Sequence, residues 1–324
     1  MDCATKFTSI TSEMDLYKGY IINPTIEVTP HITVQPFDNS DLAGSSNDIS
    51  PAREYLDKRF GNYVITPKAR DAIKAVVESY HLKEDDVVTI FTTSQNFYIS
   101  SCVTNAIEAA SSKWSREMTD KTKLILINHE FGYPCKNMDM IKSYGLPIIE
   151  DCAQSIESHC EGSEIGEVGD FVIYSLSKYF PVQVGGIICS NNNSLSKLNI
   201  QEDSVIKDVV LSRLSPHIPN IKLISDKRLA NFEYLSMKLR PLGIRPYFEL
   251  EEGVIPGVFL FKWHDDIDYA HLKGFMNANG VESSVFYGKN AYFIPLHHKV
   301  DKRQMDYMIA LLEYYLENRP SLMV

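Results

Sequence analysis

The chain has 324 residues, 44% of them hydrophobic, enough to build a large buried core and to divide into one large domain and a smaller one. Its 32 basic and 42 acidic residues leave a net charge of -10, which argues against nucleic acid or an anionic membrane surface as the main partner. No apolar run approaches the length of a membrane span, and the stretch from Met1 to Asp15 lacks the apolar core of a signal peptide, so a soluble cytoplasmic protein is expected.

Residues 1–50 are rich in Thr, Ser, Pro and Asn, with short apolar runs such as Tyr20-Ile21-Ile22, and read as an irregular arm. From Tyr63 the pattern becomes regular. Ala69, Ala72, Ile73, Val76, Val77 and Tyr80 share one face of an amphipathic helix, and an apolar strand follows over Val87 to Phe91. A helix is expected over Tyr98 to Ala110, a strand over Leu124 to Ile127, a helix over Met138 to Tyr144 and a strand over Pro147 to Ile149. After a glycine-punctuated region come strands over Phe171 to Ser175 and Gly186 to Cys189. Strands that alternate with helices and are apolar throughout predict a mostly parallel sheet covered on both faces, an α/β domain spanning residues 51–205. Residues 206–324 read as a smaller α+β domain, with a strand over Gly257 to Phe261, a helix over Asp266 to Asn279 stopped by Gly280, and a last helix over Asp301 to Glu317.

The cysteines Cys3, Cys102, Cys135, Cys152, Cys160 and Cys189 are scattered, with no CxxC pair, and are expected as reduced thiols in packing roles. His297 and His298 are adjacent and lack a third ligand, so no metal site is expected. Two segments stand out for chemistry. Ile148-Ile149-Glu150-Asp151-Cys152-Ala153-Gln154 ends a buried strand on two carboxylates, and ligands of open α/β sheets sit outside such strand ends. On spacing alone this also reads as a charged turn. Twenty-seven residues after Asp151, Ser175-Leu176-Ser177-Lys178 precedes Gly185-Gly186 and another strand, which places a lysine among small residues between two strands.

Together these residues resemble the core of the DegT/DnrJ/EryC1/StrS family of pyridoxal phosphate (PLP)-dependent sugar aminotransferases. The matching elements, in family order, are His129-Glu130-Phe131-Gly132, Met138-Asp139-Met140-Ile141, Glu150-Asp151-Cys152-Ala153-Gln154, Gly162, Gly166, Gly169-Asp170, Tyr174-Ser175, Lys178 and Gly185-Gly186. The resemblance implies an aspartate-aminotransferase-like fold (PLP fold type I) with a smaller α+β C-terminal domain, acting as a homodimer on an amino donor such as glutamate and a keto acceptor such as a nucleotide-linked keto-sugar. It implies that Lys178 forms the Schiff base with PLP and moves the substrate proton. Asp151 would pair with the pyridine nitrogen and keep the ring an electron sink, Gln154 would contact the ring or its phenolic oxygen, and Ser175 would bind the phosphate.

The rest of the phosphate site is expected at the helix that opens Thr66-Pro67-Lys68-Ala69-Arg70, where Thr66 reads as the cap, Pro67 as the first helical residue, and Lys68, Ala69 and Arg70 as the anion-facing turn. The same turn also reads as the solvated start of an amphipathic helix. In the loop after the first strand, Phe97 and Tyr98 are the candidates for stacking on the pyridine ring, and both also suit core positions. The chain departs from the family in three places: the phosphate turn is not Ser-Gly-Thr, only two residues separate Ser175 from Lys178, and Ser194 to Lys238 lacks the Asn-Tyr-Arg motif that crosses the family's dimer interface. Arg213 and Arg228 are the possible substitutes for it. These departures leave a second reading open, a regulatory homologue that binds PLP without turnover, beside other PLP chemistry on the same scaffold.

Overall fold

A computed structural model describes residues 32–37, 41, 44–159, 165–192 and 194–322, preceded by the backbone of three short strands, β1 (Thr5–Lys6), β2 (Asp15–Tyr17) and β3 (Tyr20–Asn23), which pair antiparallel in sequence order. The remainder of the expected arm lies outside the described residues, as do Cys3, Cys160 and Gly162. The chain forms two compact units: a sheet unit of Pro36–Leu223 with Leu250–Gly257, and a second unit of Met1–Gln35, Ile224–Glu249 and Val258–Val324.

The sheet unit opens with α1 (Ser50–Phe60), a helix with Pro51 in its first turn that the composition of the arm concealed. Seven strands follow: β4 (Tyr63–Thr66), β5 (Val87–Thr92), β6 (Lys113–Ser115), β7 (Thr122–Asn128), β8 (Ile148–Asp151), β9 (Phe171–Ser175) and β10 (Gly186–Cys189). They lie in the order β4-β10-β9-β8-β7-β5-β6. Strand β10 is antiparallel to both its neighbours, β4 and β9, and every other pairing is parallel. The sheet is therefore mostly parallel, as the apolar strands predict.

Alternation along β7 shows how both faces are covered. Leu124 and Leu126 pack with Ala72, Ile73, Val76 and Val77 of α2 (Ala69–Ser79) and Val103, Ala106 and Ile107 of α3 (Ser101–Ala109). Ile125 and Ile127 pack with Met138 and Ile141 of α4 (Met138–Ser143). The unit closes with α5 (Ser204–Leu214), capped by the Asp203 carboxylate, which accepts from the N–H groups of Val205 and Ile206.

In the second unit, β11 (Arg245–Pro246), β12 (Phe259–Lys262), β13 (Ser284–Val285) and β14 (Tyr292–Ile294) form an antiparallel sheet in the order β11-β12-β14-β13. Its helices are α6 (Ile221–Leu239), α7 (Tyr269–Ala278) and α8 (Lys302–Leu322), an α+β arrangement. Strand β12 begins at Phe259, two residues later than expected; the Gly257 N–H donates to the Phe131 carbonyl, within the sheet unit. No helix among the described residues is long and apolar enough to cross a membrane.

Candidate active site

The C-terminal ends of β5, β7 and β8 lie in register, with Thr92 opposite Asn128 and Asn128 opposite Asp151. Asp151 is buried, 3% exposed, at the end of a strand whose four residues are all buried. A carboxylate in such a place needs donors. Asn128 Nδ2 donates to Asp151 Oδ2 at 2.6 Å and the Ala153 N–H to Oδ1 at 3.0 Å. These two bonds hold the carboxylate in one orientation, and each oxygen keeps a further lone pair for a cationic N–H. Asn128 is a member of this cluster that the sequence reading missed; its signal was a lone amide ending the apolar run of β7.

Glu150, one residue earlier, belongs to a different system. It accepts from the N–H groups of Gly166 at 2.8 Å, Val168 at 2.8 Å and Gly169 at 2.6 Å, and from His129 Nε2 at 2.9 Å. The Cys135 N–H donates to His129 Nδ1 at 3.0 Å, which leaves Nε2 as the nitrogen that carries the proton. Burial pushes the Glu150 carboxyl up, but the His129 contact and the loop N–H groups outweigh it and leave it below the ordinary carboxylate value. His129, Glu150 and Cys152 have ligand atoms within 4.8 Å of one another. The donors and acceptors of His129 and Glu150 are spent on that network, and burial pushes the Cys152 thiol well up, away from the thiolate a metal needs. The cluster ties β8 to the Gly166–Gly169 loop and His129 to its own strand end.

Lys178 sits in a single 3-10 turn, Leu176–Lys178, that directly follows Ser175. The turn is fixed by the Leu176 N–H donating to the Gly185 carbonyl at 2.8 Å and the Phe180 N–H to the Leu176 carbonyl at 2.8 Å. Register places Ser175 opposite Gly186 and Gly186 opposite Thr66, so three adjacent strands bring Ser175 and the start of α2 to one edge. Gly186 lies so close to that helix start that a Cβ there would sit 2.6 Å from the Lys68 carbonyl carbon and 2.7 Å from the Ala69 nitrogen. Only glycine permits that approach.

The helix start corrects one expectation. Lys68, in extended conformation, is the N-cap, so Pro67 lies before the helix and Thr66 is not the cap; its hydroxyl donates to the Lys68 carbonyl at 3.0 Å. The Asp71 carboxylate accepts the Lys68 N–H at 3.0 Å. Asp71 and Ala72 N–H groups turn back to the Lys68 carbonyl, and the N–H groups of Ala69 and Arg70 are left without an intrahelical partner. Arg70 is exposed and reaches Cys102 Sγ at 3.5 Å. Lys68 is exposed as well.

The loop after β5 is held from behind. Glu130 Oε2 accepts the Ser94 N–H at 2.6 Å, Thr93 Oγ1 accepts the Glu130 N–H at 3.0 Å, and Thr93 Oγ1 donates to the Tyr133 carbonyl at 2.8 Å. Burial raises the Glu130 carboxyl above its ordinary value, against the pull of Ser94 and Arg116. At the front of the loop Phe97 and Tyr98 are 67% and 58% exposed and meet edge to face at 5.8 Å, so neither is core.

Gln154 has the other neighbours that the sequence reading missed. Phe131 adopts a left-handed backbone, φ 57°, and its carbonyl accepts the Gly257 N–H at 2.8 Å. Gly257 lies against the Gln154 carboxamide. Nearby, the His159 N–H donates to the Gly253 carbonyl at 2.8 Å and the Ile255 N–H to Ser158 Oγ at 3.0 Å. Of the arginines considered as substitutes, Arg213 donates to the Asp41 carbonyl at 2.8 Å, and Arg228 is buried in the second unit, 1% exposed.

Known proteins match at two levels. Residues 104–201 match the family model described as the DegT/DnrJ/EryC1/StrS aminotransferase family. GDP-perosamine synthase of Escherichia coli O157:H7 is 33% identical over 85 residues, 25% of this chain and 23% of that protein, so the match spans about a quarter of the relative's length. The solved structure of the aminotransferase TlmJ from Streptoalloteichus hindustanus superposes with a TM-score of 0.71 at 15% identity, covering 90% of this chain and 99% of that one. The PLP form of the putative sugar aminotransferase Spr1654 from Streptococcus pneumoniae superposes with a TM-score of 0.66 at 14% identity, covering 85% and 92%. At these identities the structural matches establish the fold. Over residues 104–201 the chain therefore matches the DegT/DnrJ/EryC1/StrS aminotransferase family, set within an aspartate-aminotransferase-like fold.

Proposed function

We propose that this protein is a PLP-dependent aminotransferase that moves an amino group from a donor such as glutamate to a keto acceptor, with a nucleotide-linked keto-sugar as the acceptor class. The observation that carries the reading is the Asp151 carboxylate, buried at a strand end and oriented by Asn128 and the Ala153 N–H. The residues present fit the cofactor: an oriented carboxylate for the pyridine nitrogen, a hydroxyl at Ser175, and two helix N–H groups at Ala69 and Arg70 beside a glycine that admits close approach. When bound, PLP supplies an electron sink for the carbon that bears the substrate amine.

The chain's own groups do the rest. Asp151 keeps the pyridine nitrogen protonated, and Gln154 orients the ring through its carboxamide. Ser175 and the start of α2 anchor the phosphate, with Lys68 and Arg70 adding positive charge. Lys178 Nζ would hold the cofactor and, when free, would take the proton from the amine-bearing carbon and return it. Phe97 or Tyr98 covers one face of the ring. The acceptor class is supported by the name of the E. coli relative, and cytoplasmic, homodimeric operation belongs to the same reading.

Borohydride reduction followed by peptide mapping tests the core of the proposal. A pyridoxyl label on Lys178 is expected, and a label on another lysine, or none, defeats it. A bleached visible band on addition of glutamate then marks an aminotransferase. A labelled Lys178 whose band ignores every amino donor marks a PLP-binding protein without turnover.

A further inference from the structure

Residues 250–257 come from the second half of the sequence yet belong to the sheet unit, while the chain on either side of them belongs to the other unit. They run beside the loop that carries Asp151 and Gln154. Their bonds go to that loop and to the turn before it: Gly253 to His159, Ile255 to Ser158, and Gly257 to Phe131. Val254, Ile255 and Pro256 are buried. Gly257 approaches a proposed cofactor contact, the Gln154 carboxamide. A methyl group built on it would overlap Gln154 Oε1 and lie 3.3 Å from Cδ, with the Phe131 carbonyl oxygen next at 3.4 Å.

We propose that Gly257 is a positioning residue for the cofactor: its bare Cα, held by the bond to the Phe131 carbonyl, fixes the rotamer of Gln154. The inference rests on the reading of Gln154 as a PLP contact. The chemistry is steric. The one atom that a methyl at 257 displaces is the polar end of a flexible side chain, so the substitution redirects the carboxamide while the surrounding backbone stays in ordinary contact. Phe131 supplies the rigidity. A phenylalanine in the left-handed region persists only where neighbours over-determine it, and here Gly257 and the Glu130 contacts to the β5 loop grip the turn from both sides.

The test is a double-mutant cycle of Gly257→Ala and Gln154→Ala in the full chain, read by PLP titration, the visible spectrum of the bound cofactor and the Tm of the PLP-free protein. Gly257→Ala is expected to weaken PLP about tenfold, the loss of one well-placed hydrogen bond, and to shift the visible band, with little change in Tm. In the Gln154→Ala background the same change is expected to cost nothing. Wild-type affinity and spectrum in Gly257→Ala overturn the proposal, and so does an equal cost in both backgrounds. If Gly257→Ala alone is unstable, Gln154→Ala restores its folding under the proposal, and a double variant as unstable as the single overturns it. A wild-type protein that takes no label at Lys178 removes the reading beneath it; a labelled wild type with an additive cycle removes only the role of Gly257.

Discussion

Strands β8 and β5 flank β7 on opposite sides and end at the same edge of the sheet, yet the residues beyond them are held in opposite ways. At the end of β8 the carboxylates of Glu150 and Asp151 are buried and each oxygen accepts at least one hydrogen bond. Past β5 the loop is anchored at Ser94 by Glu130, and its aromatic tip at Phe97 and Tyr98 stands in solvent. The two buried glutamates titrate in opposite directions, Glu150 downward and Glu130 upward. The β8 end is a rigid fixture for charge; the β5 end is a tethered loop with an exposed aromatic tip.

The largest expected effect is on the β8 side. Glu150→Ala removes the acceptor of four donors, and breaking such a buried network is expected to lower unfolding free energy by about 3–5 kcal/mol, measured by urea denaturation. A loss under about 1 kcal/mol would show that the β8 end is no stiffer than the loop. Next, Asp151→Asn is expected to keep the fold and the label on Lys178 while slowing amino transfer by on the order of a hundredfold, because the pyridine nitrogen loses its anionic partner. Single-turnover rates with glutamate decide this.

The opposite titrations give a pH test of intermediate size. Glu150 has a depressed folded value, so its stabilisation is complete above the unfolded value of about 4.3 and is lost as pH falls through the folded value. Glu130 has a raised folded value, so its contribution is complete below about 4.3 and is lost as pH rises through the folded value. Glu150→Gln should therefore flatten the loss of stability on the acid side, and Glu130→Gln the loss that sets in as pH rises above about 4.3. Matching profiles in the two variants would erase the contrast. The smallest effects are expected at the tip: Phe97→Ala and Tyr98→Ala each change stability by under about 0.5 kcal/mol, and the one that covers the ring weakens PLP by about tenfold or less.

The same contrast explains what the sequence made legible. Strands β7 to β10 announce themselves as apolar runs because both faces of the sheet are covered, and Asp151 is conspicuous because a charge at the end of such a run must be used. The short strand β4 and helix α1 were hidden by the polar composition around them. The α2 start was misread because its N-cap is Lys68, a residue without capping chemistry, whose N–H is served instead by Asp71. Asn128 and Gly257 became meaningful only through partners far along the chain, 23 residues away at Asp151 in one case and in the other half of the sequence in the second. Nothing local in Gly253-Val254-Ile255-Pro256-Gly257 says which loop it touches.

Residues 250–257 also impose an order of events during synthesis. A nascent chain that has emerged as far as Leu223 already contains all seven strands of the large sheet. The Phe131 carbonyl and the Ser158 hydroxyl still lack the partners that Gly257 and Ile255 bring. The Phe131 turn and the segment from Gln154 to His159 therefore gain these contacts only once translation has passed residue 257, and a protein truncated before that point should form its sheet, with Asp151 oriented, but without a finished candidate site.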